Sequence, residues 1–198
     1  IIPNPYEART FLRPTDEPTR PADLIFIGRL VTEKGIDLLL EALARMREHA
    51  LFPGLTIVGP GPERAAMEGL AGRLGLGETV TFLGPKREAE LASLLVQHKI
   101  LVIPSRYDEP FGVVALEGIA CGCVVVGSAG GGLPDAIGPC GWTFPNGDID
   151  ALARALEDLL REPEARRRLT AQAPAHLAKF QPAVVAEAYL ALFRSQLS

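Results

Sequence analysis

Two glutamates eight positions apart are the side chains whose types and spacing best suit ligand chemistry in this sequence. Glu109 and Glu117 lie on either side of a Phe-Gly turn in the segment SRYDEPFGVVALEGIACGCVVVGSAGGG. The pattern predicts a helix that starts just after Glu109 and contains Glu117 about two turns from its start. The backbone N–H groups of Phe111, Gly112 and Val113 would then be first-turn donors that can bind phosphate. Carboxylates around an anion-binding helix start suit a ligand with phosphate at its centre and sugars at both ends, such as a nucleotide sugar.

The same segment also fits a turn followed by a buried amphipathic helix, with both glutamates at the solvent edge. A second motif favours the ligand site. The sequence GRLVTEKG at residues 28–35 follows an apolar run and precedes a helical pattern. Gly28 lets the chain leave the strand tightly. Arg29 and Lys34 place two cations near a helix N-terminus, where an anionic ligand would compensate them. The only acidic residue beside these cations in the motif is Glu33.

Length and composition set wide limits on the function. The 198 residues, 47% of them hydrophobic, are enough to bury one core, so a single domain is expected. A formal net charge of −4 argues against a general basic surface for nucleic acid. No apolar run reaches the roughly 18 to 20 residues of a membrane span, and no signal peptide pattern is present. We therefore expect a cytoplasmic protein.

The cysteines fit a reducing compartment. Three are present, Cys121, Cys123 and Cys140, with no CxxC pair among them. Cys121 and Cys123 lie around a predicted strand start, where small buried residues are more usual than metal ligands. The sequence therefore favours free thiols in the cytosol.

Short apolar runs alternate with helical patterns along the chain. The predicted strands cover residues 24–27, 55–58, 80–83, 100–103, 123–126 and 142–144. Helices are predicted at residues 33–49, 61–74 and 87–97, after Glu109, and over most of the chain beyond residue 144. Short, continuously apolar strands between helices are typical of a parallel sheet with helices on both faces, so the predicted fold class is α/β and Rossmann-like.

Glycine-rich or polar segments follow four of the predicted strands. They are Gly28-Arg29, Gly59-Pro60-Gly61, Gly84-Pro85-Lys86 and residues 105–112. Because crossovers in parallel sheets are right-handed, the carboxyl ends of the strands lie on one edge, where ligands bind. The four segments are therefore expected to converge on one crevice.

Two other features resemble functional motifs but have simpler explanations. Asp148 and Asp150 spell an Asp-x-Asp sequence that some transferases use for a divalent cation, but they precede a helix, so one of them is expected to cap it. His49, His98 and His176 lie near helix ends, where the dipole favours them. We assign none of these residues to catalysis and predict no metal site.

The ends of the sequence suggest part of a longer protein. The chain opens with IIPNP and continues at residues 13–21 with RPTDEPTRP, a Pro-rich charged stretch typical of a linker. We expect residues 1–21 to form an interdomain linker and the start of the domain, and residues 22–180 to form the ligand-binding domain. Residues 181–198 are expected to form a helix that returns towards a missing domain.

Five motifs carry a family resemblance, in the order GRLVTEKG, GPGPE, VTFLG, PSRYDEPFGVVALE and GGLPDAIG. The series resembles the carboxyl-terminal half of the retaining, nucleotide-sugar-dependent glycosyltransferases of family 4, which have the GT-B fold. The match covers nearly the whole chain. The last helix, with Val185, Tyr189, Leu192 and Phe193, resembles the one that returns towards the other domain. The resemblance implies that this chain is the donor-binding half of a hexosyltransferase, and that a missing amino-terminal half binds most of the acceptor.

The resemblance also implies roles for the residues of the crevice. Arg29 and Lys34 would hold the donor diphosphate and offset its charge as it leaves. Glu109 would lie beside the transferred sugar, and Glu117 would accept hydrogen bonds from the ribose hydroxyls. The remaining donor-binding residues would be Gly28, Gly59, Gly61, Gly84, Pro85, Lys86, Phe111, Gly112 and Val113.

The implied donor is a UDP- or GDP-linked sugar, with no cofactor and no metal, because the two cations take the place of one. Any peripheral membrane contact is assigned to the missing domain. Two alternatives stay open. One is a nucleotide-sugar-binding module without catalysis, although pure binding would not require Glu109. The other is a different GT-B enzyme, such as a sugar-nucleotide epimerase or a phosphorylase. A dehydrogenase is excluded, because no G-x-G-x-x-G motif follows the first strand.

Overall fold

A six-stranded parallel sheet forms the centre of the domain. The computed structural model describes residues 2–12 and 19–196, and the sheet lies within them. Its strands, in chain order, are β1 Ala22–Ile27, β2 Leu55–Val58, β3 Val80–Gly84, β4 His98–Ile103, β5 Val124–Ser128 and β6 Gly141–Phe144. The spatial order is β3-β2-β1-β4-β5-β6, and every neighbouring pair is parallel. The strand order therefore reverses between β1 and β4, where ligands bind in sheets of this kind.

Helices connect the strands. In chain order they are α1 Ile36–Glu48, α2 Arg64–Arg73, α3 Glu88–Gln97, α4 Val113–Ala120, α5 Leu133–Ile137, α6 Ile149–Arg161, α7 Pro163–Thr170, α8 Ala173–Leu177 and α9 Pro182–Gln196. Short 3-10 turns cover Thr32–Lys34, Gly138–Cys140 and Ala178–Phe180. The α/β, Rossmann-like prediction is confirmed. Six of the twelve predicted strand boundaries agree with the structure, and the other six differ by one or two residues.

Two buried clusters cover the two faces of the sheet. Because side chains alternate along a strand, Leu24 and Phe26 of β1 pack on one face with α1, α2 and α6. Ile25, between them, packs on the other face with α3, α4, α5 and α8. The continuously apolar strands follow from this burial on both sides, as in other parallel sheets.

The residues before β1 pack on the domain at two points. Tyr6 and Phe11 are buried in the cluster that contains α4 and α8. Arg20 donates hydrogen bonds to the carbonyl oxygens of Leu95, His98 and Cys121 at 3.0, 2.6 and 2.5 Å. The guanidinium thus joins the ends of α3 and α4 to the start of β4. The predicted linker at residues 13–21 falls largely on residues 13–18, which lie outside the described residues.

The cysteines and the last helix complete the description. Cys121, Cys123 and Cys140 are free and buried, and burial raises the pKa of Cys123 to about 12, so its thiol stays protonated.

Helix α9 buries Val185 but exposes Tyr189 and Phe193, with Phe193 at 59% of its full surface. Across residues 2–12 and 19–196, no helix has the length and apolar character that crossing a membrane requires.

Candidate active site

The loops that follow β1, β2 and β3 are in direct backbone contact. The Gly28 N–H donates to the Val58 carbonyl at 3.0 Å, and the Gly59 N–H donates to the Gly84 carbonyl at 3.0 Å. Gly61 lies against the backbone of Leu30 in the loop after β1. Three of the four predicted loop segments therefore meet at the carboxyl edge of the sheet.

An ion pair joins the loop after β1 to the loop after β4. The Lys34 ammonium lies 2.6 Å from Oε1 of Glu109. A backbone hydrogen bond from Arg106 N–H to the Glu33 carbonyl, at 2.8 Å, holds the same two loops together. The sequence suggested only Glu33 as an acidic neighbour of Lys34. The structure corrects this, because the adjacency of β1 and β4 brings in Glu109 from 75 positions away.

Hydroxyl groups complete the surroundings of the Glu109 carboxylate. Ser105 donates to Oε1 at 2.5 Å, and Tyr107 donates to Oε2 at 2.6 Å. Lys34 also donates to the Tyr107 hydroxyl at 2.8 Å. Glu109 is only 6% exposed, so the carboxylate exchanges water for these three donors and the charge of Lys34.

The pKa values of Lys34 and Glu109 both shift in the direction that favours the charged form. Burial acts to raise the pKa of Glu109, but the hydrogen bonds from Lys34, Ser105 and Tyr107 outweigh it, and the net pKa is lowered. Burial acts to lower the pKa of Lys34, and the bonds to Glu109 and Tyr107 outweigh it, so its net pKa is raised. Both groups are therefore ionised at neutral pH.

A glycine sets the position of Lys34. Gly35 has a φ of +66° and stands so close to the Pro104 carbonyl that a Cβ would overlap it. The chain therefore turns there, with Lys34 in the 3-10 turn, and α1 begins at Ile36. The predicted helix start at residue 33 is wrong, because the left-handed Gly35 separates the turn from the helix.

Arg29 is the second cation of this edge. It follows β1 by two residues and is exposed. Among the residues that the structure describes, none forms an ion pair or hydrogen bond with its guanidinium. A ligand anion could reach it without breaking an existing contact.

The helix after Glu109 starts later than predicted. Gly112, with a φ of +91°, precedes α4, and Val113 is its first residue. Glu117 is therefore about one turn inside the helix rather than two. Phe111 and Gly112 precede the helix instead of forming its first turn. Even so, the N–H groups of Phe111, Gly112 and Val113 donate no backbone hydrogen bond within the described part of the chain.

The loop after β5 supports the turn that carries Glu109. The Gly132 N–H donates to the Glu109 carbonyl at 2.8 Å, and a Cβ at Gly131 would overlap the same carbonyl. Phe111 packs its ring on Phe180, with the centroids 5.7 Å apart. No role is predicted for Gly131 and Gly132 from the sequence alone. Three consecutive glycines at residues 130–132 were the available signal for a close backbone approach.

Glu117 lies in α4 and is close enough to Glu88, the first residue of α3, to sense its charge. It is partly buried, and no described residue forms a hydrogen bond or ion pair with its side chain. Burial, together with the nearby charge of Glu88, raises its pKa to about 7. Glu88 opens α3 two residues after Lys86, the last residue of the predicted base-binding segment Gly84-Pro85-Lys86. Within that segment, Lys86 pairs with Glu90 at 3.1 Å.

The features set aside in the sequence have structural partners. Asp148 caps α6 by accepting from the Ala151 N–H at 2.8 Å, which confirms the expected helix cap, and Asp150 pairs with Arg45. The histidines bond elsewhere in the fold: His49 to Glu157, His98 to Leu94 and Thr56, and His176 to Ala136. Among the described residues, no three His, Cys, Asp or Glu side chains gather as a metal site would require.

Comparison with known proteins establishes the family. Residues 8–176 match the family described as glycosyl transferases group 1. The chain belongs to this family. Among curated relatives, D-inositol 3-phosphate glycosyltransferase of Mycobacterium avium is 39% identical in a 179-residue alignment that covers 85% of this chain and 41% of that protein. The chain thus spans about two fifths of the length of the relative.

Solved structures show the same GT-B type of fold. Sucrose-phosphate synthase from Thermosynechococcus elongatus superposes with a TM-score of 0.83 at 31% identity, over 99% of this chain and 52% of that one. Anabaena HepE, solved in complex with UDP, gives a TM-score of 0.79 at 22% identity, over 89% of this chain and 49% of that one. The group 1 domain described here therefore corresponds to about half of each of these chains.

Proposed function

We propose that this chain is the donor-binding half of a retaining glycosyltransferase of family 4, which transfers a hexosyl group from a nucleoside-diphosphate sugar to an acceptor. The observation that carries the proposal is the Lys34–Glu109 pair, 2.6 Å apart at the carboxyl edge of the sheet where the strand order reverses. A buried glutamate held ionised by a lysine is costly to keep in a fold, and pure nucleotide binding does not require it.

In this proposal the two cations bind the donor diphosphate. Breaking the bond between sugar and diphosphate builds negative charge on the leaving oxygens. Arg29 is unpaired within the described residues, and Lys34 is fixed by Glu109, so both offer positive charge at one edge of the crevice. Preorganised donors at a developing anion are typically worth about 100- to 1,000-fold in rate. No metal is then needed to offset this charge.

The two glutamates take the two sugars of the donor. Glu109 accepts from hydroxyls of the transferred sugar, and Glu117 accepts from the ribose. The N–H groups of Phe111, Gly112 and Val113 donate to the sugar and phosphate between them. Supporting this arrangement, the three amides donate no backbone bond within the described residues, and the two carboxylates lie on either side of them along the chain.

The loops after β2 and β3 complete the donor site. Gly59 and Gly61 form its floor beside Gly28, and the base lies near Gly84, Pro85 and Lys86. For the chemical step we favour front-face attack assisted by the leaving phosphate over double displacement. This choice is supported by the three hydrogen bonds that the Glu109 carboxylate accepts, which make it a poor nucleophile. We also propose a cytoplasmic location, which the three free cysteines support.

A second domain is part of the proposal. The chain corresponds to 41% of the M. avium relative and 52% of the sucrose-phosphate synthase chain, which supports a separate acceptor-binding half. The exposed apolar face of α9 supports a contact with that half. Closing the crevice and orienting the acceptor can supply several kcal/mol of the barrier. We therefore expect the isolated chain to bind the donor but to transfer its sugar poorly.

Calorimetry with UDP, GDP, ADP and their sugar conjugates tests the donor site directly. UDP comes first because HepE, which shares the fold, was solved with UDP. We expect Glu117→Ala to weaken binding of the nucleoside diphosphate alone, and Glu109→Ala to weaken only sugar-bearing donors. Equal losses with and without the sugar in both variants contradict the assigned roles. Binding without transfer, even when the acceptor-binding half is present, would favour the non-catalytic alternative.

A further inference from the structure

Tyr107 touches both members of the central ion pair. Its hydroxyl accepts from the Lys34 ammonium at 2.8 Å and donates to Oε2 of Glu109 at 2.6 Å. The same ammonium lies 4.8 Å from the centre of the Tyr107 ring, within the range of a cation–π contact. No role is predicted for Tyr107 from the sequence alone. Yet the structure makes it the side chain that bridges the two ions.

A count of hydrogen-bond donors and acceptors shows which bonding sites of Lys34 and Glu109 the Tyr107 bridge leaves open. An ammonium has three N–H groups, and those of Lys34 bond to Glu109 and Tyr107, leaving one without an acceptor among the described residues. Each carboxylate oxygen has two lone pairs. Oε1 of Glu109 uses both, for Lys34 and Ser105, whereas Oε2 uses one, for Tyr107. Within the described residues, each ion therefore keeps one bonding site that a ligand could use, and the Tyr107 bridge restricts the direction of both sites.

We propose that Tyr107 is a positioning residue for sugar transfer, whose hydroxyl fixes the Lys34 ammonium and the Glu109 carboxylate in the orientation that the donor requires. This inference rests on the function proposed above. Without the Tyr107 hydroxyl, the Lys34 ammonium keeps only its hydrogen bond to Oε1 of Glu109 and can rotate about it. The Glu109 carboxylate is then held at Oε1 only. The third N–H of Lys34 is then no longer directed at the leaving phosphate. The free lone pair on Oε2 of Glu109 is likewise no longer directed at a sugar hydroxyl.

The position of Tyr107 suits this role. Its side chain is 36% exposed, so it lies at the surface of the crevice and not in the core. Ser105, which fixes the other oxygen, is fully buried. Removing the Tyr107 hydroxyl should therefore leave the fold intact, while it takes away one of the donors that favour the ionised carboxylate. The pKa of Glu109 should rise as a result.

The test compares Tyr107→Phe with Tyr6→Phe. The control also loses a hydroxyl with a hydrogen bond, because the Tyr6 hydroxyl accepts from Gln181 at 3.1 Å. Tyr6 lies outside the crevice. Transfer is measured in whichever form of the protein is active, the chain alone or the chain with its acceptor-binding half. We expect Tyr107→Phe to lower kcat by about 10-fold while the donor KM changes by less than about 2-fold. The acid limb of the rate profile should move to higher pH, and Tyr6→Phe should match the wild type.

A second measurement does not depend on activity. The glutamate carboxyl carbons of the labelled chain are titrated by NMR, with Glu109→Gln used to assign the Glu109 signal. A higher Glu109 pKa in Tyr107→Phe than in Tyr6→Phe supports the bridge, and equal values overturn it. If the wild type transfers sugar and Tyr107→Phe has the same kcat and the same pH profile, the positioning role is overturned. A wild type that binds none of the tested donors overturns the proposed function instead, and the titration still decides whether the bridge holds the carboxylate.

Discussion

Gly59 stands directly against the carbonyl oxygen of Gly28, so that a Cβ on Gly59 would overlap that oxygen. The two residues follow β2 and β1, and the contact sets how closely these two loops approach at the carboxyl edge of the sheet. Gly59 also has a φ of +140°, which side chains of L-residues rarely adopt.

Gly59→Ala should therefore destabilise the domain. The backbone conformation alone costs on the order of 1 to 3 kcal/mol, and the overlap with Gly28 adds to it, so we expect a loss of at least about 2 kcal/mol in urea unfolding. Gly72→Ala is the control, because Gly72 lies in α2 with open space around it. The control should be neutral or slightly stabilising. Equal effects of the two substitutions would contradict the close approach.

Arg29→Ala should weaken binding of the nucleoside diphosphate by about 1.5 to 3 kcal/mol, as expected for a lost charge-assisted hydrogen bond. Its guanidinium has no partner among the described residues, so the free energy of unfolding should change by less than about 0.5 kcal/mol. Arg168→Ala, an exposed arginine on α7, is the matched control. Calorimetry that finds the same affinity in both variants would place the phosphate elsewhere.

Lys34→Met should destabilise the fold by about 2 to 3 kcal/mol at neutral pH, because it leaves the Glu109 charge buried without its partner. The folded pKa of Glu109 is lowered, so its stabilising contribution is present above the ordinary value of 4.5 and is lost as pH falls through the folded pKa. The difference between variant and wild type should therefore shrink in acid. Stability curves measured by urea unfolding at several pH values check this. Lys34→Met combined with Glu109→Gln should recover much of the loss.

Affinity for UDP should rise by about 10-fold between pH 6 and 8, because in the proposed site Glu117, with a pKa of about 7, ionises to accept hydrogen bonds from the ribose. The Glu117→Gln variant isolates this effect from the titration of UDP itself, and it should show a flatter profile. In the unliganded chain, the raised pKa of Glu117 makes the stability of the fold change with pH in the opposite direction to the affinity. The protonated form favours folding, so stability should fall as pH rises from about 4.5 to 7. Identical pH profiles in both proteins would refute a role for Glu117.

Excess EDTA should leave the affinity for UDP unchanged, because in the proposed donor site Arg29 and Lys34 supply the positive charge at the diphosphate. Asp148 and Asp150, the acidic pair that most resembles a metal motif, are occupied as a helix cap and as a partner of Arg45. Calorimetry before and after dialysis against the chelator makes the comparison. A loss of affinity that magnesium restores would contradict the prediction.

The strands and the edge of the sheet that carries the site could be predicted from sequence, because apolar runs and the glycines that follow them are local signals. The start of α4 could not, since it depends on the left-handed Gly112 rather than on helix propensity. The pairing of Lys34 with Glu109 also could not be predicted. It requires that β1 and β4 are neighbours, and no local pattern states the strand order. The hydroxyls of Ser105 and Tyr107 were visible as polar residues near Glu109, but only the folded loop turns them towards its carboxylate.

The central position of the β1–β4 pair has a consequence for how the domain acquires its site. Leu24 pairs with Ile100, so this contact closes a long loop that holds β2, β3 and the three crossover helices α1, α2 and α3. Contacts between distant parts of a chain form slowly during folding. Lys34 and Glu109 lie on the two sides of this junction and meet only once it has formed. In refolding experiments, nucleotide binding should therefore lag behind helix formation and appear together with completion of the sheet.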